Sequence, residues 1–188
     1  SAISKAEWGE LECTRLPKFI GKLFVGVKYG HDNENVSMSV AVKTAGGKIF
    51  VESIDCRPVR DGNGWIIAFL RNADVEKVIV DGANGQQLLA ESMKEAKLKK
   101  PVLPTVKQIV LANSAFMQAI YAKDIRHMGQ PSLVRAVSNC EKRAIGSSGG
   151  FGFRSIQEGV EIGLLDSAIL AYWACKERKE RRKQKILC

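Results

Sequence analysis

Leu23-Phe-Val-Gly-Val-Lys-Tyr29, the polar turn His31-Asp-Asn-Glu-Asn35 and Val36-Ser-Met-Ser-Val-Ala-Val42 form the stretch on which the fold turns. In its second half polar and apolar residues alternate, the period of a strand with one face on a core, so the stretch reads as strand, turn, strand. Gly46-Gly47 supplies the next turn, and Lys48-Ile-Phe-Val-Glu-Ser-Ile54 repeats the period-two signal. Three strands in succession predict an antiparallel meander.

Downstream the pattern changes. A short apolar run over 65–70 predicts one or two helical turns. Lys77-Val-Ile-Val-Asp81 is a β-branched run flanked by charges, as expected of a buried parallel strand, and Gly82-Ala-Asn-Gly85 breaks it. Residues 86–98 carry Leu88, Leu89, Met93 and Ala96 at helical spacing. A short strand over 102–106 and a long helix over 108–125 follow, and strand, helix, strand makes a parallel crossover unit. Pro131 opens a helix through about 143, with Leu133, Val134, Val137 and Cys140 on one face. Ser147-Ser-Gly-Gly150 turns a small hairpin within 144–156. The last helix, from about 161 to 178, lines up Ile162, Leu165, Ile169, Tyr172 and Trp173, and carries Asp166 among apolar neighbours. The order resembles a ribonuclease H-like α/β domain, in which a three-strand antiparallel meander joins parallel strands in one mixed sheet flanked by helices.

Upstream, residues 1–22 hold Trp8, scattered charge and Pro17, and read as an approach segment from a further domain; the opening Ser1 fits an excised fragment. The domain proper is expected over 23–178. Residues 179–188 form a basic tail, part of a run in which Lys and Arg alternate with Glu and Gln, and read as a solvated helix end before a DNA-contacting arm.

A chain of 188 residues with 45% hydrophobic content is long enough for one well-cored domain and short for two. Its 29 Lys+Arg against 20 Asp+Glu, a formal charge of +9, favour a polyanionic partner, either nucleic acid or an anionic membrane surface. No apolar run approaches the roughly 20 residues of a membrane helix and no signal peptide opens the chain, so a soluble cytoplasmic protein with no membrane partner is expected. Cys13, Cys56, Cys140, Cys175 and Cys188 are scattered and form no C-x-x-C pair, which argues against a disulfide framework and a zinc site.

The chemistry points to carboxylates. Two-metal phosphoryl transfer needs several of them converging on cations about 3.5 to 4 Å apart, because hard divalent ions want oxygen ligands and their charge must be offset. Asp81 ends an apolar strand before Gly82, where α/β folds place ligands; the plainer reading is a cap on the helix that follows. Asp166 interrupts an apolar helix, where a lone carboxylate needs a partner or a metal. Otherwise it is a first-turn Asp favoured by the helix dipole.

Taken together, Asp81-Gly-Ala-Asn-Gly85 after a strand, His127-Met-Gly-Gln-Pro131-Ser-Leu133 with Ala136 and Asn139, the glycine hairpin, and Leu165-Asp166-Ser-Ala168 on the last helix resemble the nuclease domain of tailed-phage terminase large subunits. The similarity runs from about Ile3 to Lys176 through motifs that are individually weak but correctly ordered. It implies an endonuclease that cuts concatemeric double-stranded DNA during genome packaging in the bacterial cytoplasm. Mg²⁺ or Mn²⁺, as two ions, would be held by Asp81, Asp166 and Asp32, with Glu34 a weaker substitute. Lys28, Arg143, Arg154 and His127 would face DNA. The resemblance further implies a packaging ATPase domain, a portal and a small terminase subunit as partners; no G-x-x-x-x-G-K-S/T loop occurs in this sequence. One departure matters. Many members place their first catalytic Asp in strand one, where this chain has Lys28 in Val25-Gly-Val-Lys-Tyr29. That substitution keeps open an alternative, a catalytically degenerate DNA-binding module. Structural alternatives also stand for the loop residues: His31 and His127 as loop histidines, Asp32 and Glu34 as an ordinary polar turn, and the hairpin as a plain β-turn.

Overall fold

The computed structural model describes residues 1–187, with side chains described through Arg178. The side chains of the basic tail, 179–188, lie outside the described residues. In chain order the elements are α1 (Lys5–Gly9), β1 (Phe19–Tyr29), β2 (Asn35–Thr44), β3 (Ile49–Pro58), a 3-10 turn (Val59–Asp61), α2 (Gly64–Asn72) and β4 (Val75–Asp81). Then come α3 (Gln86–Glu95), α4 (Val106–Tyr121), β5 (Ile125–Arg126), α5 (Pro131–Val137), β6 (Cys140–Ile145), β7 (Gly150–Ser155) and α6 (Gly163–Leu187).

The meander expected from the alternating stretches is present. β1 pairs antiparallel with β2, and β2 with β3, while β4 runs parallel to β1 and β5 parallel to β3. The sheet order is β4-β1-β2-β3-β5, and β6 and β7 form a separate hairpin. Both faces of the sheet are covered, so the strand period sorts residues between two cores. Phe24, Ala41, Val51 and Ile79 pack against Phe116, Leu133, Leu165 and Leu170 of the α4, α5 and α6 layer. Val25, Val27, Val78 and Val80 pack against Ile66, Leu70, Leu89 and Met93 of α2 and α3. Among the described residues no helix is long and apolar enough to cross a membrane.

Gly26 decides how closely α6 approaches the sheet. A Cβ at that position would lie 2.0 Å from the Ser167 carbonyl oxygen and 2.8 Å from the Ala171 nitrogen, so only a glycine lets the helix backbone rest on β1.

Several boundaries differ from the sequence reading, each for a local reason. The strand expected over 102–106 shrinks to one parallel bridge, Ile79 with Val102. Val102 exchanges both backbone bonds, donating to Val78 at 2.8 Å and accepting from Val80 at 2.9 Å. Pro101 and Pro104 on either side have no N–H to extend the ladder. Thr105 instead caps α4 in a reciprocal box with Gln108, which starts that helix at Val106. The helix expected through 143 stops at Val137, and Cys140 to Arg143 become the outgoing strand of the hairpin. Residues 1–22 are packed onto the domain: Ile3, Trp8 and Leu11 are buried in the main core, Ser4 and Glu7 form a capping box on α1, and β1 begins at Phe19.

Candidate active site

β1 and β4 end side by side in a register that pairs Val27 with Val80 and Lys28 with Asp81. Beyond Asp81 the chain turns at Gly82, whose φ of +118° is one that side-chain-bearing residues rarely adopt. The turn is pressed against Tyr29. A Cβ on Gly82 would lie 2.6 Å from the Tyr29 Cβ and carbonyl oxygen, and one on Gly85 would lie 2.2 Å from the Tyr29 ring. The Tyr29 hydroxyl donates to Asn63 Oδ1 at 2.7 Å, and burial pushes its pKa up to about 12, so the phenol stays neutral. The two glycines of Gly82-Ala-Asn-Gly85 therefore serve contact with an aromatic ring and fix the turn that leaves Asp81 at the strand end.

Asp166 arrives from the opposite layer in the first turn of α6. The helix start is set by three contacts. A Cβ on Gly163 would lie 2.5 Å from Ser37 Oγ, the Ser39 and Ser167 hydroxyls are 2.8 Å apart, and Ser167 Oγ donates to the Leu164 carbonyl at 3.0 Å. With Gly26 beneath it, the first turn lies directly over the ends of β1 and β4. Lys28, Asp81, Arg143 and Asp166 consequently line one cavity. Within it Lys28 Nζ donates to Asp81 Oδ2 at 2.5 Å, with side-chain exposures of 24% and 16%. Burial raises the Asp166 pKa to about 6; Lys28 opposes this, Asp81 adds to it, and Arg143 and His31 oppose it further. At neutral pH the group is mostly ionised, held among cations.

The cavity opens into a cleft of about 560 Å³ whose mouth includes His31, Asp32, Arg154 and Glu161. One wall is the β6–β7 hairpin. It supplies Arg143 and Arg154, the latter bound to Glu141 at 2.7 Å across the strand pair.

Of the residues singled out in the sequence, Lys28, Asp81, Asp166 and Arg143 meet in the inner cavity, while Asp32 and Arg154 stand at its mouth. Asp32 is exposed, and its Oδ1 accepts the Glu34 N–H at 3.0 Å, the bond of an Asx turn. Glu34 is exposed in the same turn. His127 is placed elsewhere, contrary to the expectation that it faces DNA. It is 1% exposed, and its ring stacks on Trp8 with centroids 4.2 Å apart. Nδ1 accepts the Gly129 N–H at 2.9 Å, which leaves Nε2 as donor to the Trp8 carbonyl at 2.7 Å. Two residues of the site escaped the sequence reading. Asn113, 4% exposed, lines the inner cavity and donates to the Phe151 carbonyl at 2.9 Å, which ties α4 to the hairpin. Glu161 stands at the mouth. The signals were an amide on the apolar face of α4, between Ala112 and Phe116, and an acid just before Ile162.

Asp81 and Asp166 offer the hard oxygen donors that Mg²⁺ and Mn²⁺ take, and they share a cavity, so the donor set fits a divalent cation. Among the described residues no group of three or more His, Cys, Asp or Glu is arranged to hold a metal. Any further ligands would be water or phosphate oxygens.

No protein-family model and no curated protein matches the chain. Solved structures do. The HK97 bacteriophage large terminase superposes with a TM-score of 0.73 at 14% identity, covering 92% of this chain and 43% of that one. The large terminase nuclease from thermophilic phage G20c with bound magnesium gives 0.62 at 14% identity, covering 92% and 97%. The large terminase nuclease domain from bacteriophage SPP1 with bound Mn gives 0.54 at 12% identity, covering 94% and 92%. The chain has the fold of large terminase nuclease domains and spans less than half the length of the HK97 protein.

Proposed function

We propose that this chain is a divalent-metal-dependent endonuclease that cuts concatemeric double-stranded phage DNA during genome packaging, the nuclease part of a terminase large subunit. The observation that carries the reading is the meeting of Asp81, Asp166, Lys28 and Arg143 in one cleft at the ends of β1 and β4, on a fold shared with terminase nuclease domains. Asp81 and Asp166 are the carboxylates that would hold the metal. A divalent ion bound there supplies Lewis-acid charge to a phosphate oxygen. Arg143 on the hairpin wall and Arg154 at the mouth neutralise the DNA backbone, and the excess of +9 draws the duplex in without regard to sequence. The ATPase domain, portal and small terminase subunit belong to the same reading as partners, and the host cytoplasm as its setting.

The test is nicking of a supercoiled plasmid with Mg²⁺ or Mn²⁺. Nicking should vanish on chelation and in Asp81→Asn, while duplex binding persists and its log affinity falls linearly with log salt. A second reading, a DNA-binding module without cleavage, is favoured by the ion pair that Lys28 makes with Asp81. Retained salt-dependent binding with no nicking under any divalent ion would select it.

A further inference from the structure

We infer that the Lys28 ammonium, on β1 in register with Asp81 and bonded to it at the floor of the cleft, fills one of the two cation positions of a two-ion site, so that the chain holds a single divalent ion. The inference rests on the nuclease reading and replaces the two ions expected from the sequence.

Three observations carry it. The first is position. Ions of a two-metal pair lie about 3.5 to 4 Å apart and share a carboxylate between them. Lys28 Nζ already lies 2.5 Å from Asp81 Oδ2, and the parallel register of β1 and β4 holds the two side chains on neighbouring strands. The second is charge. Lys28 and Arg143 already stand against Asp81 and Asp166, so each divalent ion adds positive charge that only water and substrate phosphate can screen, and a second ion beside the ammonium costs more than the first. The third is the donor count. Asp32 and Glu161, the other carboxylates of the cleft, both sit exposed at its mouth, Asp32 gives Oδ1 to its own turn, and no group of three metal-binding side chains is present among the described residues.

Lys28 then has work of its own in the reaction. An ammonium carries three donors, and Asp81 takes one, which leaves N–H groups free to turn toward a nonbridging oxygen of the scissile phosphate. There it supplies the positive charge a second ion would bring, fixed in place before substrate arrives.

The experiment counts Mn²⁺ bound to the whole chain without DNA, by calorimetric titration and electron paramagnetic resonance. Wild type should bind one Mn²⁺ with an uncoupled six-line spectrum. Lys28→Asp should bind two, with the broadened signal of an exchange-coupled pair about 4 Å apart. Lys28→Gln, which keeps length and removes charge, should bind its ion about tenfold more tightly than wild type, since a like charge near the metal is gone. Thermal melts identify any variant that fails to fold, and Lys28→Gln carries the test if Lys28→Asp does. Two coupled ions in wild type, none at millimolar Mn²⁺, one in a folded Lys28→Asp, or unchanged affinity in Lys28→Gln would each overturn the inference. Metal counting separates it from the function it rests on: one bound ion with no plasmid nicking sinks the nuclease reading alone, and nicking with two bound ions sinks this one alone.

Discussion

Asp166 and His127 are both ionisable side chains drawn into the protein, and their surroundings differ in kind. His127 is closed on itself: one ring nitrogen donates, the other accepts, and the face stacks on Trp8. Burial lowers its pKa from the usual 6.5, against the Trp8 bond and Glu12, which raise it, so the ring rests neutral. Asp166 is set instead among Lys28, Asp81, Arg143 and His31, with a cleft in front of it. An enclosed polar group whose hydrogen bonds are all met stabilises a fold, whereas one balanced against several charges at an opening is suited to a ligand.

Substitutions at the two positions should therefore act with opposite signs. The largest effect is expected for Asp166→Asn, which should lower plasmid cleavage by at least about a hundredfold, the scale of a lost electrostatic contact at a reacting centre. The same change should make the protein more stable at neutral pH by roughly 1 to 3 kcal/mol, because the fold no longer holds a carboxylate against its raised pKa. Next in size, His127→Ala should lose about 2 to 4 kcal/mol, from a cavity beside Trp8 and two orphaned backbone groups. The folded fraction should keep its specific activity. A stable and active His127→Ala, or a destabilised Asp166→Asn, would break the contrast.

Acidity separates the pair again. Asp166 titrates near 6 when folded and at its ordinary 3.8 when unfolded, so between those values the folded chain binds the extra proton and its contribution to stability falls as pH rises, then stays level. For His127 the folded pKa is the lower one, so the unfolded chain takes the proton first and stability falls as pH drops below 6.5. Urea melts across this range should show the first slope disappear in Asp166→Asn and the second in His127→Gln. Without metal Asp166 takes up a proton near pH 6, so Mn²⁺ binding should weaken as pH falls below that value. The smallest effect belongs to Asp32→Asn at the mouth. An amide oxygen can keep the Glu34 bond, and cleavage should fall less than about fivefold, within the range of a rim contact. A loss as large as that of Asp166→Asn would move the boundary of the metal site outward and sink the one-ion inference with it.

The strands were legible where period and composition agreed, as in Val36 to Val42 and Lys77 to Asp81, because a pleated surface between two layers imposes that pattern. Asp81 was legible for the same reason, since a charge at the end of a β-branched run marks a strand terminus. Boundaries failed where two local signals competed. Val102 to Val106 is β-branched, yet its prolines remove the donors a ladder needs. Cys140 to Arg143 continues a helical face on paper, although its pairing partners, Phe153 to Ser155 among them, lie across a turn the helical period does not encode. The site was half legible. Its carboxylates stand out against apolar neighbours, but the ion pair between Lys28 and Asp81 depends on two strands, far apart in sequence, lying side by side in one register. The seclusion of His127 likewise depends on α1, a segment the sequence reading set apart from the domain.

The glycine contact between β1 and α6 gives the molecule a datum set chiefly by main chain, with only the Leu170 Cβ beside it. Gly26 meets the Ser167 carbonyl and the Ala171 nitrogen with nothing projecting between them, so the separation of Lys28 from Asp166 is inherited from two backbones. Core side chains around this contact are interchangeable parts. They can be exchanged for others of similar volume at modest cost, because the approach that aligns Lys28 with Asp166 is set by backbone atoms and a single Cβ.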